Sequence, residues 1–323
     1  MLMGLVTVVI PNFNGREYLD GCLRSLGKQT FTDFDTVIVD DGSEDGSQEY
    51  IKNNYPLVRL IELPENTGFA NAVNVGIQST DSRYVFLLNN DTICAEKVIE
   101  RLVRIMENKQ KLFSAQAKML KMKQPHDIDD CGDLYCALGW AFTPGKDKDN
   151  KHFRRRESVT SACAGAAMYR REYFEKVGYF DKEHFCYLED VDLGYRARLK
   201  GYANIMEPTA IVYHVGSASS GSRYNEFKVE LTAGNNIYMI YKNMPIGQIF
   251  INFPLILTGI FIKHAFYVRR GLGTAHVSGL KLGIKKIMTH PGKRVIFGKT
   301  ELINAFRLQI ELWVNLARRA LSI

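Results

Sequence analysis

Four times before residue 107 the chain runs an apolar, strand-like segment through a polar turn into a segment with helical spacing. The strand-like segments are Leu5–Ile10, Thr36–Val39, Val58–Leu63 and Tyr84–Leu88. The helical ones carry Tyr18, Cys22, Leu23 and Leu26; Ser47–Asn54; Phe69–Gln78, with Ala72, Val73 and Ile77 on one side; and Val98, Leu102, Ile105 and Met106. This alternation predicts an α/β chain with a parallel sheet covered by helices on both faces. Each strand also ends in polar or turn-forming residues: Pro11-Asn12, Asp40-Asp41, Asn66 and Asn89–Asp91. Ligands of open α/β sheets bind at the carboxyl ends of the strands, so four polar ends on one edge amount to a site.

The plainest of these ends is YVFLLNNDT, residues 84–92, where a buried strand empties into Asn89, Asn90 and Asp91. Asn-Asn-Asp is ordinary turn chemistry. In the company of three other polar ends, Asp91 reads as a hard oxygen ligand for Mg²⁺ or Mn²⁺ carrying a diphosphate. A dinucleotide-binding fold would need Gly-x-Gly-x-x-Gly after its first strand. The turn here is Pro-Asn-Phe-Asn-Gly, which argues against a nicotinamide or flavin. Gly298-Lys299-Thr300 has the end of a phosphate loop, but Lys293 stands where the loop's first glycine is required. The six cysteines form no Cys-x-x-Cys pair and read as reduced, mostly buried thiols of a cytosolic protein. The start, MLMGLVTVVIPN, lacks a basic region and a cleavage site, and reads as a first strand.

The charge is unevenly placed. From Lys242 onward, 13 Lys and Arg stand against 2 Asp and Glu; the rest of the chain holds 29 and 33. Residues 243–262 are uncharged and rich in Ile, Leu and Phe, about the length that spans a bilayer. Gln248, Asn252, Pro254 and Gly259 interrupt this run, and Lys263, Arg269 and Arg270 follow it. A basic belt comes next: Lys281, Lys285, Lys286, Lys293, Arg294 and Lys299. The expectation is a membrane-embedded or interfacial segment beside an anionic surface, with a full span or a buried core hairpin as alternatives. Ile303, Phe306, Ile310, Trp313 and Ala317 align on one helix face, which either docks onto the domain or meets the membrane. The tail's aromatics do not alternate with its basic residues, which speaks against nucleic acid.

A second dense stretch is LEDVDLGYR, residues 188–196. Glu189, Asp190 and Asp192 fall within four residues and repel one another, so a raised pKa or a cationic partner is expected among them. Acidic residues also simply suit a helix N-terminus. A carboxylate with a raised pKa facing a cleft suits a general base, with Arg196 and Arg198 to offset the others. Residues 123–158, polar and irregular, read as a surface excursion or a lid.

Taken in order, VVIPNFNG (8–15), VDDGSEDGS (39–47), ENTGFANAVNVGI (65–77), LLNNDT (87–92) and the segment from Cys163 to Tyr202 resemble the family 2 glycosyltransferases. The subgroup they are most similar to is the rhamnosyl- and galactofuranosyl-type transferases of cell-surface polysaccharide assembly. The resemblance covers about residues 5–240 and implies the GT-A fold over 1–241. Its nucleotide-sugar half would be about 1–120 and its acceptor half about 121–241, followed by a basic, helical, membrane-associating region over 242–323. It implies that Asp40 or Asp41 binds the nucleotide base, and that Pro11, Asn14, Asn66, Gly68, Asn71, Asn74, Asn89 and Asn90 line the donor pocket. Asp91 and His214 would be metal ligands for Mg²⁺ or Mn²⁺, Asp190 the base, and Glu189 and Arg196 acceptor contacts. Many relatives carry Asp at position 89, and Asn there lowers the site's negative charge. The donor implied is a UDP- or dTDP-linked sugar, and the reaction an inverting single displacement. The acceptor implied is a lipid-linked or growing glycan at the cytoplasmic face of the membrane. The competing expectations are a nucleotidylyltransferase, which would need a Gly-rich, Lys-bearing loop near Pro11–Gly15, and a non-catalytic carbohydrate-binding descendant, which Asn89 permits.

Overall fold

Alternate residues of the front strands sort into two apolar clusters, one on each side of a sheet. Val8, Ile10, Tyr84, Phe86 and Leu88 face one side, Val9, Val85 and Leu87 the other. A strand apolar on both faces must be buried on both, and the helices between the strands do this. The computed structural model describes residues 4–216 and 224–321. In chain order the front comprises β1 (Val6–Asn12), α1 (Arg16–Leu26), β2 (Phe34–Asp40), α2 (Ser47–Asn54), β3 (Arg59–Glu62), α3 (Phe69–Gln78), β4 (Tyr84–Leu88), β5 (Thr92–Cys94) and α4 (Val98–Asn108). Strands β3, β2, β1 and β4 lie side by side, all parallel. Helices α1, α2 and α4 pack on one face, and α3 on the other.

The second half extends the same sheet with mixed directions. It adds β6 (Leu112–Lys121), β7 (Ile128–Asp130), β8 (Leu134–Cys136), β9 (Trp140–Phe142), β10 (Glu157–Val159), β11 (Ala166–Arg170), α5 (Phe174–Val177), α6 (Glu189–Leu199) and β12 (Ala203–His214). Strand β11 runs antiparallel between β4 and β6, and β12 runs parallel to β6 on its far side. Two short antiparallel pairings then bend the edge back toward the strand tips: β5 with β12, and β7 with β6. The stretch 123–158, expected as an excursion or lid, supplies β7 and the start of β10, which join this edge, and β8 and β9, which pair with each other in a separate two-stranded sheet. Strand β12 is 12 residues long and ends at His214.

Helices α7 (Glu226–Asn243), α8 (Ile246–Val268), α9 (Gly273–Thr289) and α10 (Lys299–Leu321) follow. The 241/242 division is not a break in packing. Ile256, Ala305, Leu308 and Leu312 share one buried cluster with Tyr135, Val191, Tyr195 and Met239.

Among the described residues, α8 is the one helix long and apolar enough to cross a membrane, and 17% of its apolar window is buried. Its buried positions are Gln248, Asn252, Ile256 and Gly259, whereas Phe250 is 81% exposed and Phe261 68%. Asn252 and Gln309 exchange two amide hydrogen bonds, of 2.7 and 2.9 Å, and Tyr195 donates to Gln248 at 2.8 Å. Helix α10 repeats the inversion: Asn304, Gln309 and Asn315 are buried, while Ile303, Phe306, Ile310 and Trp313 are exposed. The apolar stripe of α10 therefore points away from the domain, and α8 is not a buried hairpin. The basic belt is thinner than its sequence suggests. Lys293 bonds Asp181 at 3.0 Å, Lys286 bonds Asn235 at 2.6 Å, and Arg294 donates to the carbonyl of Met244.

Candidate active site

The tips of β1, β2 and β4 open into a cavity of about 690 Å³ whose far wall is the start of α6 and residues from the β7–β9 region. Pro11, Asp41, Asn66, Gly68, Asn89, Asn90, Asp91, Glu189, Asp190 and His214 all line it. Asp40, Asn14, Asn71, Asn74 and Arg196 lie outside its lining, and each has a structural engagement. Asp40, fully buried, accepts from Asn12 at 2.8 Å, from the Ser43 amide at 2.9 Å and from Gln48 at 2.7 Å. Asn14 accepts from the Glu44 amide, and Asn71 donates to Thr67. Asn74 exchanges two bonds with the backbone of Phe180. Arg196 holds Asp192 at 2.8 Å and the carbonyls of Val177 and Tyr179.

Of the two aspartates at the end of β2, Asp41 is thus the one on the cavity wall. It accepts from the Thr67 amide and hydroxyl and from the Gly68 amide, which folds the loop before α3 over the sheet edge. Gly68 needs its hydrogen side chain: its φ is +91°, and a Cβ would stand 2.4 Å from the ring of Phe185. Asn90 donates to Asn12 at 2.7 Å, and Asn12 to Asp40, so a buried hydrogen-bonded chain ties the tips of β4, β1 and β2 together.

His214 reaches the site by register. Its pairing with Thr92 across β12 and β5 sets it beside Asp91, with Nε2 3.1 Å from Asp91 Oδ1. Its other ring nitrogen, Nδ1, lies 2.5 Å from Asp129 Oδ2 at the β7 edge. Burial opposes a charge on this imidazole, but the two flanking carboxylates outweigh it and push the pKa up to about 10. Burial would likewise raise Asp129, yet the bond from His214 and the charge of Lys146 hold it at about 2. Asp129 was invisible to sequence reading: it lies 85 positions from its partner, in a stretch with no periodicity. Residues 217–221 of the Gly/Ser stretch after His214 lie outside the described residues.

With both ring nitrogens protonated, His214 is ion-paired to Asp91; giving up the Nε2 proton turns the pair into one nitrogen and one oxygen donor 3.1 Å apart, with Asp129 fixing the ring from behind. This donor set fits a divalent cation. Among the described residues no three His, Cys, Asp or Glu side chains are grouped for a metal, so further donors would come from a ligand or water.

Helix α6 begins with Glu189 and Asp190, which line the cavity, and the buried Asp192, and the expected repulsion resolves three ways. Asp192, fully buried, meets Arg196, Lys242 and Asn243, which hold it well below the carboxylate range against its burial. Glu189 is pushed up to about 7 by burial, and its Oε2 has no hydrogen-bond partner. Asp190 is raised well above the usual range by burial, then by the charges of Glu189 and Asp130. Asp133, bonded to Thr143 at 3.0 Å, adds a further carboxylate to the cavity lining that sequence reading missed.

The model of the family described as glycosyl transferase family 2 matches residues 7–178, more than half of the chain. The chain belongs to that family. This family 2 chain is 25% identical over 247 residues to the N-acetylglucosaminyl-diphospho-decaprenol L-rhamnosyltransferase of Mycobacterium tuberculosis, covering 67% of itself and 78% of that protein. It is 36% identical over 101 residues to the teichoic acid poly(glycerol phosphate) polymerase of Staphylococcus epidermidis, covering 30% of itself and spanning only 14% of that protein. In fold it is similar to the mannosyltransferase PcManGT of Pyrobaculum calidifontis, solved with GDP-Man and Mn²⁺. The TM-score is 0.55 at 15% identity, covering 97% of this chain and 82% of that one. The GT-A architecture and the mostly parallel front sheet expected for a family 2 member are therefore present.

Proposed function

We propose that the protein is an inverting, metal-dependent glycosyltransferase. It moves a sugar from a UDP- or dTDP-linked donor to a hydroxyl of a lipid-linked or growing cell-surface glycan. One observation carries this reading: Asp91 and His214, 3.1 Å apart, line the same cavity as Asp190. The named rhamnosyltransferase supports the choice of a lipid diphosphate acceptor and a cell-envelope setting.

Asp41, Asn66 and Gly68 bind the nucleotide, and Asn89 and Asn90 the sugar diphosphate. Asp91 and His214 would hold the divalent cation, which when bound offsets the charge of the departing diphosphate. Asp190 takes the proton of the attacking hydroxyl, for which its raised pKa suits it. The hydroxyl oxygen bonds to the anomeric carbon as the diphosphate oxygen leaves, and one displacement inverts that centre. Glu189, unpartnered at Oε2, accepts from a second acceptor hydroxyl.

The outward apolar faces of α8 and α10 rest on the cytoplasmic face of the membrane, and the exposed Lys281, Lys285 and Lys299 of the same tail supply positive charge toward its anionic lipids. Asp190→Asn tests the chemistry. It leaves UDP or dTDP binding in Mn²⁺ unchanged and abolishes transfer to a polyprenyl-diphosphate-linked glycan. Transfer at the wild-type rate would refute the base assignment.

A further inference from the structure

The segment that delivers Asp190 is bent in an unusual way. Phe185, Tyr187 and Leu188 all have φ between +61° and +68°, a conformation that side chains with a Cβ rarely adopt. Three such residues within four positions, ending where α6 begins, persist only when the surroundings over-determine them. Part of the restraint comes from the nucleotide half: the Ala70 amide donates to the Phe185 carbonyl at 3.0 Å. Three carbonyls of the segment are held by one side chain outside the cavity. Asn235, fully buried on α7, aims Nδ2 at the carbonyls of His184, Cys186 and Tyr187, at 2.9, 2.9 and 2.8 Å. Its Oδ1 accepts from Lys286 of α9, which also donates to the Glu183 carbonyl.

Lys286 is held over Asn235 by backbone-to-backbone packing of α9 on α7. A Cβ on Gly279 would meet the Glu230 carbonyl at 2.4 Å, one on Gly283 the Gly234 carbonyl at 2.6 Å, and one on Gly234 the Gly279 carbonyl at 2.8 Å. Only glycine permits this approach, and it brings a basic residue of the tail to the carbonyls of the loop before the base.

We propose that Asn235, oriented by Lys286, is a positioning residue that sets the 184–188 loop and thereby aims Asp190 at the acceptor hydroxyl. The inference rests on the reading of Asp190 as the base. It makes α9 a working part of the site as well as a neighbour of the membrane-facing helices. A positioning role lowers turnover far more than it weakens donor binding: the loop meets the donor side at Phe185, which packs on Gly68 and accepts from the Ala70 amide, while the bonds of Asn235 go to His184, Cys186 and Tyr187.

The test compares the full chain with Asn235→Asp, Asn235→Ala and Lys286→Met. It measures transfer from a UDP- or dTDP-sugar, binding of UDP or dTDP with Mn²⁺ by calorimetry, and thermal stability. Asn235→Asp is close to isosteric and keeps an acceptor for Lys286, but it removes both N–H donors. It is expected to lose about 100-fold in kcat, the loss that a misplacement of about 1 Å inflicts. Tm falls, because three buried carbonyls lose their donor, while donor KM and nucleotide binding, measured well below that Tm, change far less than kcat. Lys286→Met loses less, and Asn235→Ala combined with Lys286→Met is no worse than Asn235→Ala alone, since the two act as one unit. Full kcat in Asn235→Asp, or a kcat loss matched by an equal loss of nucleotide binding in protein still folded at the assay temperature, overturns the proposal. Transfer surviving Asp190→Asn overturns the base reading beneath it instead.

Discussion

At the residue scale, the account turns on pairs of groups whose environments differ. Glu189, buried, and its neighbour Asp190, half-buried, are both raised, and the charge of Glu189 contributes to the rise of Asp190. A base works only when deprotonated, so transfer should rise with pH along a limb lying above the ordinary carboxylate range. Glu189→Gln removes one of the charges that raise Asp190, so the acid limb of the kcat profile should move to lower pH; an unmoved limb would contradict the coupling. Behind His214, Asp129 fixes the ring by its 2.5 Å contact. Carboxylates in that position typically contribute 10- to 100-fold to metal affinity. Asp129→Ala should weaken Mn²⁺ binding by about that factor, read by electron paramagnetic resonance without any sugar present, and unchanged affinity would count against the metal assignment. Asp91 and Asp190 were legible because each ends a local motif. Asp129 and Asn235 were not, because each acts through a partner about 50 or more positions away.

At the element scale, the front of the sheet could be read directly. Helices Ser47–Asn54 and Phe69–Gln78 stand where their spacing placed them, and the apolar runs became the parallel strands. Strand β6 escaped because Ser114, Gln116 and Lys118 are buried in it and break the apolar pattern; each is satisfied by a side-chain partner, Asn204, Asp130 and Asn150 respectively. Helices α8 and α10 present a different difficulty. Composition marks them as apolar but does not say which face is turned inward, and it is the amide-bearing face. Phe250→Glu combined with Phe261→Glu should abolish co-sedimentation with anionic vesicles while leaving Tm unchanged, since both rings are exposed. Retained vesicle binding would detach these faces from the membrane. Lys242 makes the opposite case: it bonds Asp181 at 2.7 Å and Asp192 at 2.9 Å from inside the fold. Both carboxylates are held low, so their stabilisation is present above the ordinary carboxylate pKa and persists until the pH falls through the lowered values. Lys242→Met takes one of two cationic partners from each carboxylate, leaving Lys293 on Asp181 and Arg196 on Asp192, and should cost about 1.5–3 kcal/mol in urea unfolding at pH 7.

For the whole molecule, the front sheet and the C-terminal helices act on the cavity from opposite sides. The sheet edge brings Asp41, Asn66 and Asp91 to one wall, and α6, braced by α7 and α9, brings Asp190 to the other. The measurement that tests this division most directly is the dissociation constant of UDP or dTDP with and without Mn²⁺, in the wild type, Asp91→Asn and Asp190→Asn. Mn²⁺ should tighten the nucleotide on the wild type and on Asp190→Asn alike, and do nothing for Asp91→Asn. Tightening that survives in Asp91→Asn, or vanishes in Asp190→Asn, would contradict it.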